Sequence, residues 1–429
     1  MNERRWPTGG GLNLAAFRRA GLASRGAKVP RVRSFCLWSP RGRQALPAVG
    51  ATTAAPSIAS ASEKATHTTL GDPRWIRVTA LTADHCRKFW PIRRIVITLV
   101  IGACALTTTK AAKTSSLLGT PPIAIEVHIE PITAFYPHDP SRQRFGQLEF
   151  RGGLILTSPY REFGGLSAIR MAPDGAQFIS LSDHGRWFKG RLTYDGTQPV
   201  GIAEAVMAPI LGPGGVPLAA RGRHDTESIA DDGGTLYVGI EGVNQIVRFD
   251  YGKDGLLAHG QPIPVPPGIR TLPSNKGLEA LVFVPRNQPM GGALIAISER
   301  GLDDAGNLRA FLIGGPVPGN FAIKRSQQFD ISDAALLPSG DLLILERSVG
   351  WPEGLLVQIR RIQIGDVRPG AIVDGPVLFE ADLRFAIDNM EGLAVHQTPA
   401  GEIVLTLISD DNFSPLQRTE LLQFTLVGP

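Results

Sequence analysis

The sequence predicts an all-β protein, a β-propeller of about five and at most six four-stranded blades. Three observations predict it. From about residue 121 onward, short apolar runs alternate with Gly, Pro, Asp and Asn, and no long stretch holds a helical period. One type of segment recurs at Ser167, Glu227, Glu279, Asp333 and Glu391, at intervals of 60, 52, 54 and 58 residues. Each copy is followed by further apolar runs, and four antiparallel strands at such a period describe a propeller blade.

Ahead of the repeat, residues 1–84 are rich in Arg, Ala, Ser, Gly and Pro and show no sustained period. They read as disordered, or as an upstream segment before a true start near Val78 or Leu81. Residues 85–112 have the pattern of a secretory signal. Arg87, Lys88, Arg93 and Arg94 precede an apolar run from Ile95 to about Leu106 that is short for a membrane span. The "IGAC" box ending at Cys104 also matches a lipoprotein cleavage site, which would lipidate Cys104; a plain signal would be cut near Ala111 or Ala112. Either way the sequence predicts an exported domain over 113–429, periplasmic, extracellular or lipid-anchored, touching membranes only through this segment.

Charge follows the same division. Residues 1–112 carry 18 Lys+Arg against 4 Asp+Glu, or +14, while the whole chain carries +5, so the remainder carries −9. An acidic domain excludes a nucleic-acid partner on electrostatic grounds. Cys36, Cys86 and Cys104 all precede the repeat, so no disulfide staples it.

Within the repeat, first strands begin at "SAIRM", "ESIAD", "EALVF", "DAALL" and "EGLAV". Second strands are "FISLSD", "LYVGIE", "LIAISE", "LLILE" and "VLTLISD", ending at Asp183, Glu241, Glu299, Glu346 and Asp410. Third strands are "RWFKGRLTYD", "NQIVRFDY", "NLRAFLIG", "GLLVQIRRI" and "TELLQFTLV". Fourth strands are "GIAEAVMAPI", "GQPIPVP", "AIKRSQQFD" and "AIVDGPVLFE"; the last unit has none of its own. "GQLEFRGGLILTS", residues 146–158, supplies it and closes the ring, leaving no open sheet edge. A sixth blade could hide only in residues 121–160.

In an antiparallel pair, the start of one strand lies beside the end of the next. The acids that open first strands and close second strands therefore gather at one mouth of the central channel. Ser167, Glu227, Glu279, Asp333 and Glu391 form one set, and Asp183, Glu241, Glu299, Glu346 and Asp410 the other; nine of the ten are carboxylates. Hard oxygen donors without Cys or a His pair select Ca²⁺ first and Mg²⁺ second. His184, Arg186 and Lys189, then Arg221, Arg223 and His224, with Lys276, Arg300 and Arg347, are interleaved with the acids. Guanidinium groups beside a hard cation suit an anionic ester. The same acid–base pairs also suit simple salt bridges between blades. His184 reads as a hydrogen-bonding residue of the mouth, His396 as a turn residue, and Trp187 and Phe188 as packing. No G-x-S-x-G, H-E-x-x-H, C-x-x-C or P-loop motif occurs.

"FGGLSAI…GAQFISLSDHGRW", "DTESIA…LYVGIEGVNQIVRF", "NKGLEALVF", "ISDAALLPSGDLLILERS" and "DNMEGLAVH…LTLISDDNFSPLQRTELLQFTL" together resemble the bacterial phytase-like domain family, labelled "esterase-like activity of phytase". The resemblance spans about residues 145–427. True β-propeller phytases are Ca²⁺-dependent phosphatases with acid-lined clefts and basic phosphate-binding residues. The resemblance thus implies Asp183, Glu227, Glu279, Glu391 and Asp410 as metal ligands, and Arg186, Arg223, Lys276 and Arg300 as phosphate-binding residues. The long acidic stretches of those phytases are absent. The expected function is Ca²⁺-dependent hydrolysis of a small anionic phosphoester by a monomer. The alternatives are a non-catalytic propeller that binds an anionic ligand or protein, and a lactonase or carboxylic-ester hydrolase with a central calcium.

Overall fold

The computed structural model describes residues 121–350 and 352–428. The expectations for segments 1–84 and 85–112, including Cys104, fall outside the described residues. Among the described residues, no helix is long and apolar enough to cross a membrane.

Five antiparallel blades stand in a ring. Blade 1 runs outward from Leu166–Met171 through Gln177–Ser182 and Arg186–Asp195 to Gln198–Pro209, with Ile123–Ala124 on its edge. Blade 2 comprises Thr226–Asp232, Thr235–Ile240, Gln245–Phe249 and the short Gln261–Pro262. Blade 3 comprises Leu278–Phe283, Ala293–Leu302, Leu308–Gly314 and Gly319–Ile323, extended by the parallel Ile372–Val373. Blade 4 comprises Asp330–Leu336, Leu342–Gly350, Gly354–Ile362 and Val377–Asp382. The expected fourth strands "AIKRSQQFD" and "AIVDGPVLFE" are thus displaced, because blade 3 ends earlier and borrows the first half of the latter.

Blade 5 joins the two ends of the domain. Met390–Gln397, Ile403–Ser409 and Thr419–Leu426 are followed outward by Leu148–Thr157 and then His128–Ile132. The predicted closing strand is therefore present. The blade count is five, because residues 121–160 extend blades 5 and 1 and form no sixth sheet.

Strands of a propeller are covered on both faces, so their apolar content exceeds simple alternation. Five separate cores fill the five seams. Trp187 and Leu181 of blade 1 meet Val238 and Phe249 of blade 2. Ile246 meets Leu281 and Phe311 at the next seam, and Ile295 and Phe321 meet Ile344 at the third. Phe135, Phe379 and Phe424 fill the seam between blades 4 and 5, and Leu154 and Leu421 meet Phe178 and Phe188 at the last. His396 lies in the inner strand of blade 5 instead of a turn, and is half-buried.

One side chain crosses the central channel. Arg170 of blade 1 donates to both carboxylate oxygens of Asp333 at 2.8 and 3.1 Å. It also donates to the carbonyls of Leu281 at 2.9 Å, Ala334 at 3.2 Å and Leu393 at 3.0 Å. The guanidinium thus ties blade 1 to blades 3, 4 and 5 and plugs the channel below its mouth.

Candidate functional site

At the mouth, each inner strand carries one residue that the neighbouring strand skips. In blade 1, Leu166 faces Ser182 and Ala168 faces Leu181, leaving Ser167 extra. The same bulge isolates Glu227 in blade 2, Glu279 in blade 3 and Glu391 in blade 5. A bulge turns its extra side chain out of the sheet and sharpens the local twist. Here it aims the side chain into the mouth. This is how a carboxylate comes to stand among Leu278, Leu281 and Val282.

Blade 4 departs from the expected pattern by one residue. There Ile331 faces Glu346 and Asp333 faces Leu345, so the bulged residue is Ser332. Its partner position, filled by Asp183, Glu241, Glu299 and Asp410 elsewhere, is filled by Arg347. Asp333 instead pairs with Arg170 in the channel, where it also accepts the Leu393 amide at 2.8 Å. Glu346 is fully buried on Arg360 and Gln358, at 2.6 and 2.8 Å. Both acids leave the ring and become structural. An arginine enters it.

The remaining acids converge. One carboxylate oxygen each of Glu241, Glu279 and Glu299 lies within 4.8 Å of the others, and all three residues are buried. Glu227, Asp225 and Asp183 continue the cluster towards blades 1 and 2, and Asp410 and Glu391 continue it towards blade 5. Two cations meet this set. Lys276 donates to both oxygens of Glu299 at 2.9 and 3.0 Å. Arg347 bonds Glu391, donates to Asn389 Oδ1 at 2.8 Å, and faces Glu299 at 3.5 Å.

Eight carboxylates with two close cations cannot all ionise cheaply. Burial pushes Asp183 and Asp410 up to about 6 and Glu241 up to about 7. Burial also carries Glu227 and Glu279 well above the usual carboxylate range, and the neighbouring acids add to it. Such a cluster lacks positive charge. Its donors are all hard oxygens, which fits Ca²⁺ and does not fit zinc or copper.

Of the predicted metal ligands, Asp183, Glu227, Glu279, Glu391 and Asp410 all stand in this mouth. Of the predicted phosphate-binding residues, Lys276 stands there too. Arg186, the first residue of the third strand of blade 1, donates to Glu162 at 3.0 Å, and Arg223, in the loop ahead of the inner strand of blade 2, donates to Gln245 at 3.0 Å. Arg300 is drawn to the seam of blades 3 and 4, where it and Arg325 share Asp330. Sequence reasoning gave no role to Asp225, Asn389 or Asp411. Asp411 anchors a tight turn by accepting the Gly165 amide at 2.9 Å and the Phe413 amide at 3.1 Å. That turn lays Phe413 on His184, with ring centroids 4.2 Å apart and planes 10° apart. The doubled acid in "SDDNF" was the available signal.

Similar folds occur among solved structures. A gluconolactonase from Xanthomonas campestris is 13% identical with a TM-score of 0.35, covering 71% of this chain and 98% of that one. The PQQ-bound aldose sugar dehydrogenase from Streptomyces coelicolor is 13% identical with a TM-score of 0.32, covering 71% and 99%. The β-propeller domain of Cps50 (Swd1) from Myceliophteria thermophila is 14% identical with a TM-score of 0.28, covering 58% and 67%. A comparison with curated proteins gives no match. The phytase-like family model, described as "Esterase-like activity of phytase", matches residues 161–413, more than half of the chain and all of the mouth. By that match, the chain belongs to the phytase-like family.

Proposed function

We propose that the mouth is the active site of a Ca²⁺-dependent hydrolase acting on a small anionic phosphoester. The observation that carries this reading is the buried trio Glu241, Glu279 and Glu299, whose oxygens converge within 4.8 Å with too little positive charge around them. These three, with Glu227, would hold the ion. When bound, it supplies Lewis-acid polarisation of a substrate oxygen. Arg347 is placed to donate to negative charge that develops on the ester, since it occupies the one ring position where the other blades carry acids. Lys276 neutralises Glu299 and sets the local charge. Arg186 and Arg223 offer positive charge at the rim to an arriving anion. The Arg170–Asp333 plug closes the channel below, so substrate and product use the same mouth.

The family description supports a second reading, in which a carboxylic ester or lactone takes the place of the phosphoester. Export, with or without a lipid on Cys104, remains part of the proposal and rests on the basic-headed apolar run at 85–112.

The test uses metal-stripped protein, melted with and without Ca²⁺ and assayed with p-nitrophenyl phosphate, p-nitrophenyl acetate and a simple lactone. A raised midpoint together with phosphatase turnover supports the first reading. Turnover of the acetate or the lactone alone moves the assignment to the second. If neither melting nor turnover responds to Ca²⁺, the hydrolase reading is wrong, and the mouth is a structural or binding surface.

A further inference from the structure

A cleft of about 180 Å³ opens in the seam between blades 5 and 1, on the face opposite the acidic mouth. Its position follows from the strand directions. The mouth lies where inner strands begin, whereas His396 stands at the far end of Met390–Gln397 and Asp174 lies in the turn after Leu166–Met171. Tyr194 joins them from the far end of Arg186–Asp195, and Gln423 and Arg151 from the third and fourth strands of blade 5. One water needs on the order of 10–15 Å³ of such space, so the cleft has room for a small organic molecule.

The wall of the cleft holds polar groups that the fold leaves unmatched, which is uncommon for buried side chains. Gln423 is fully buried; its Nε2 donates to Tyr194 Oη and Thr406 Oγ1, both at 3.0 Å, while its Oε1 has no partner among the described residues. Turning the amide over would strand the nitrogen instead, so one end lacks a partner either way. Tyr194 gives its own proton to the Gly175 carbonyl at 2.8 Å. His396 Nδ1 is buried without a partner too, and burial, helped by Arg151, lowers the imidazole below its ordinary value and keeps it neutral. Arg151 donates through Nε to the Thr197 carbonyl at 3.2 Å and through Nη1 to Thr425 at 3.0 Å and Glu402 at 3.4 Å; among the described residues its Nη2 has no acceptor. Asp174 uses Oδ1 on the amides of Ala176 at 2.9 Å and Gln177 at 3.1 Å, and its Oδ2 meets only Arg191, at 3.9 Å.

The unmatched groups are of both kinds. Arg151 Nη2 can only donate, and Asp174 Oδ2 can only accept. Their charges cancel as well, with Arg151 and Arg191 set against Asp174 and Glu402, so nothing in the wall selects an ion. A hydroxyl both donates and accepts, which suits such a wall. We propose that the cleft binds an uncharged polyhydroxy molecule of monosaccharide size, whose hydroxyls accept from Arg151, donate to Asp174 and meet the free end of Gln423. The site stands apart from the acidic mouth and does not rest on the hydrolase reading.

The experiment titrates the full chain with D-glucose, D-galactose and sorbitol, followed by calorimetry. EDTA is present throughout, so that no cation at the mouth can hold hydroxyls there. Saturable binding of at least one of the three is expected. Arg151→Gln and Asp174→Asn should each weaken it at least about tenfold, the scale of one buried hydrogen bond to a charged group. Asp174 is half-exposed, and asparagine keeps the oxygen that holds the Ala176 and Gln177 amides, so Asp174→Asn tests the site even if Arg151→Gln lowers the melting midpoint. Binding of none of the three overturns the proposal, since the cleft then holds water alone. Equal binding by Asp174→Asn and the unaltered protein also overturns it, because the sugar then sits elsewhere. Acetate or sulfate bound in place of the sugars overturns the uncharged class.

Discussion

Glu279 opens the inner strand of blade 3 with its carboxylate buried beside Glu299, Glu227 and Glu241, and Arg347 is the nearby charge that opposes them. Its effect on stability should therefore change sign with the ion. In metal-free protein, Glu279→Gln removes a repelled charge and should raise stability by about 1–2 kcal/mol. In Ca²⁺ the same change removes a ligand, so the ion-induced rise of the melting midpoint should shrink or vanish. Equal shifts in both conditions would show that no ion binds there. Glu420 is a second buried acid, outside the ring and closed off from water. Neither of its oxygens finds a hydrogen bond, and Arg418 approaches one of them to 2.7 Å without bonding geometry. Burial raises its carboxyl from 4.5 to about 7, and Arg418 only partly offsets this. Between those values the folded chain keeps a proton that the unfolded chain releases, so stability falls as pH rises through that window. Glu420→Gln should remove that component of the pH slope, worth about 1–3 kcal/mol, as read from denaturant midpoints. An unchanged slope would place the titration elsewhere. At this scale the sequence was readable where acid and bulge coincide, as at Glu227, Glu279 and Glu391. It misled at blade 4, because "ISDAALL" and "LLILERS" look the same to a period-2 pattern whichever residue bulges. The available clue was the likeness of Ile331-Ser332 to Leu166-Ser167.

At the scale of strands, the inner ones are coupled by a single guanidinium. Removing it should be costly, because Asp333 is fully buried and its carboxyl is already raised by burial despite Arg170. Arg170→Met should destabilise the fold by about 3–5 kcal/mol. Adding Asp333→Leu should recover most of that loss, since the pair then goes as a unit. A double variant as unstable as the single one would mean that the carbonyl contacts, and not the ion pair, matter most. The third strands were the most legible elements: "RWFKGRLTYD" and "GLLVQIRRI" match Arg186–Asp195 and Gly354–Ile362 residue for residue. Outer strands were the least legible. Gln261–Pro262 and Ile372–Val373 have two residues each, too few to show any period.

For the whole molecule, closure through Leu148–Thr157 makes a specific demand on the chain. A protein beginning at residue 121 should keep its melting midpoint, whereas one beginning at residue 159 loses three strands of the blade 5 sheet, His128–Ile132, Arg144–Phe145 and Leu148–Thr157, and exposes the edge of Thr419–Leu426. The shorter chain should aggregate or fail to melt cooperatively, as size-exclusion chromatography and calorimetry would show. A cooperative monomer from residue 159 onward would mean that four closed seams suffice. The joint has a further consequence in time. It pairs Leu148 with Leu426 and Thr419 with Leu156, residues near opposite ends of the described chain. Hairpins within each blade can form early, but this pairing must wait until nearly the whole chain has been gathered. Refolding should therefore be slow and limited by that one event. Unfolding should begin where the two ends meet, so strengthening this joint would lengthen the lifetime of the folded ring more than equal strengthening inside any single blade.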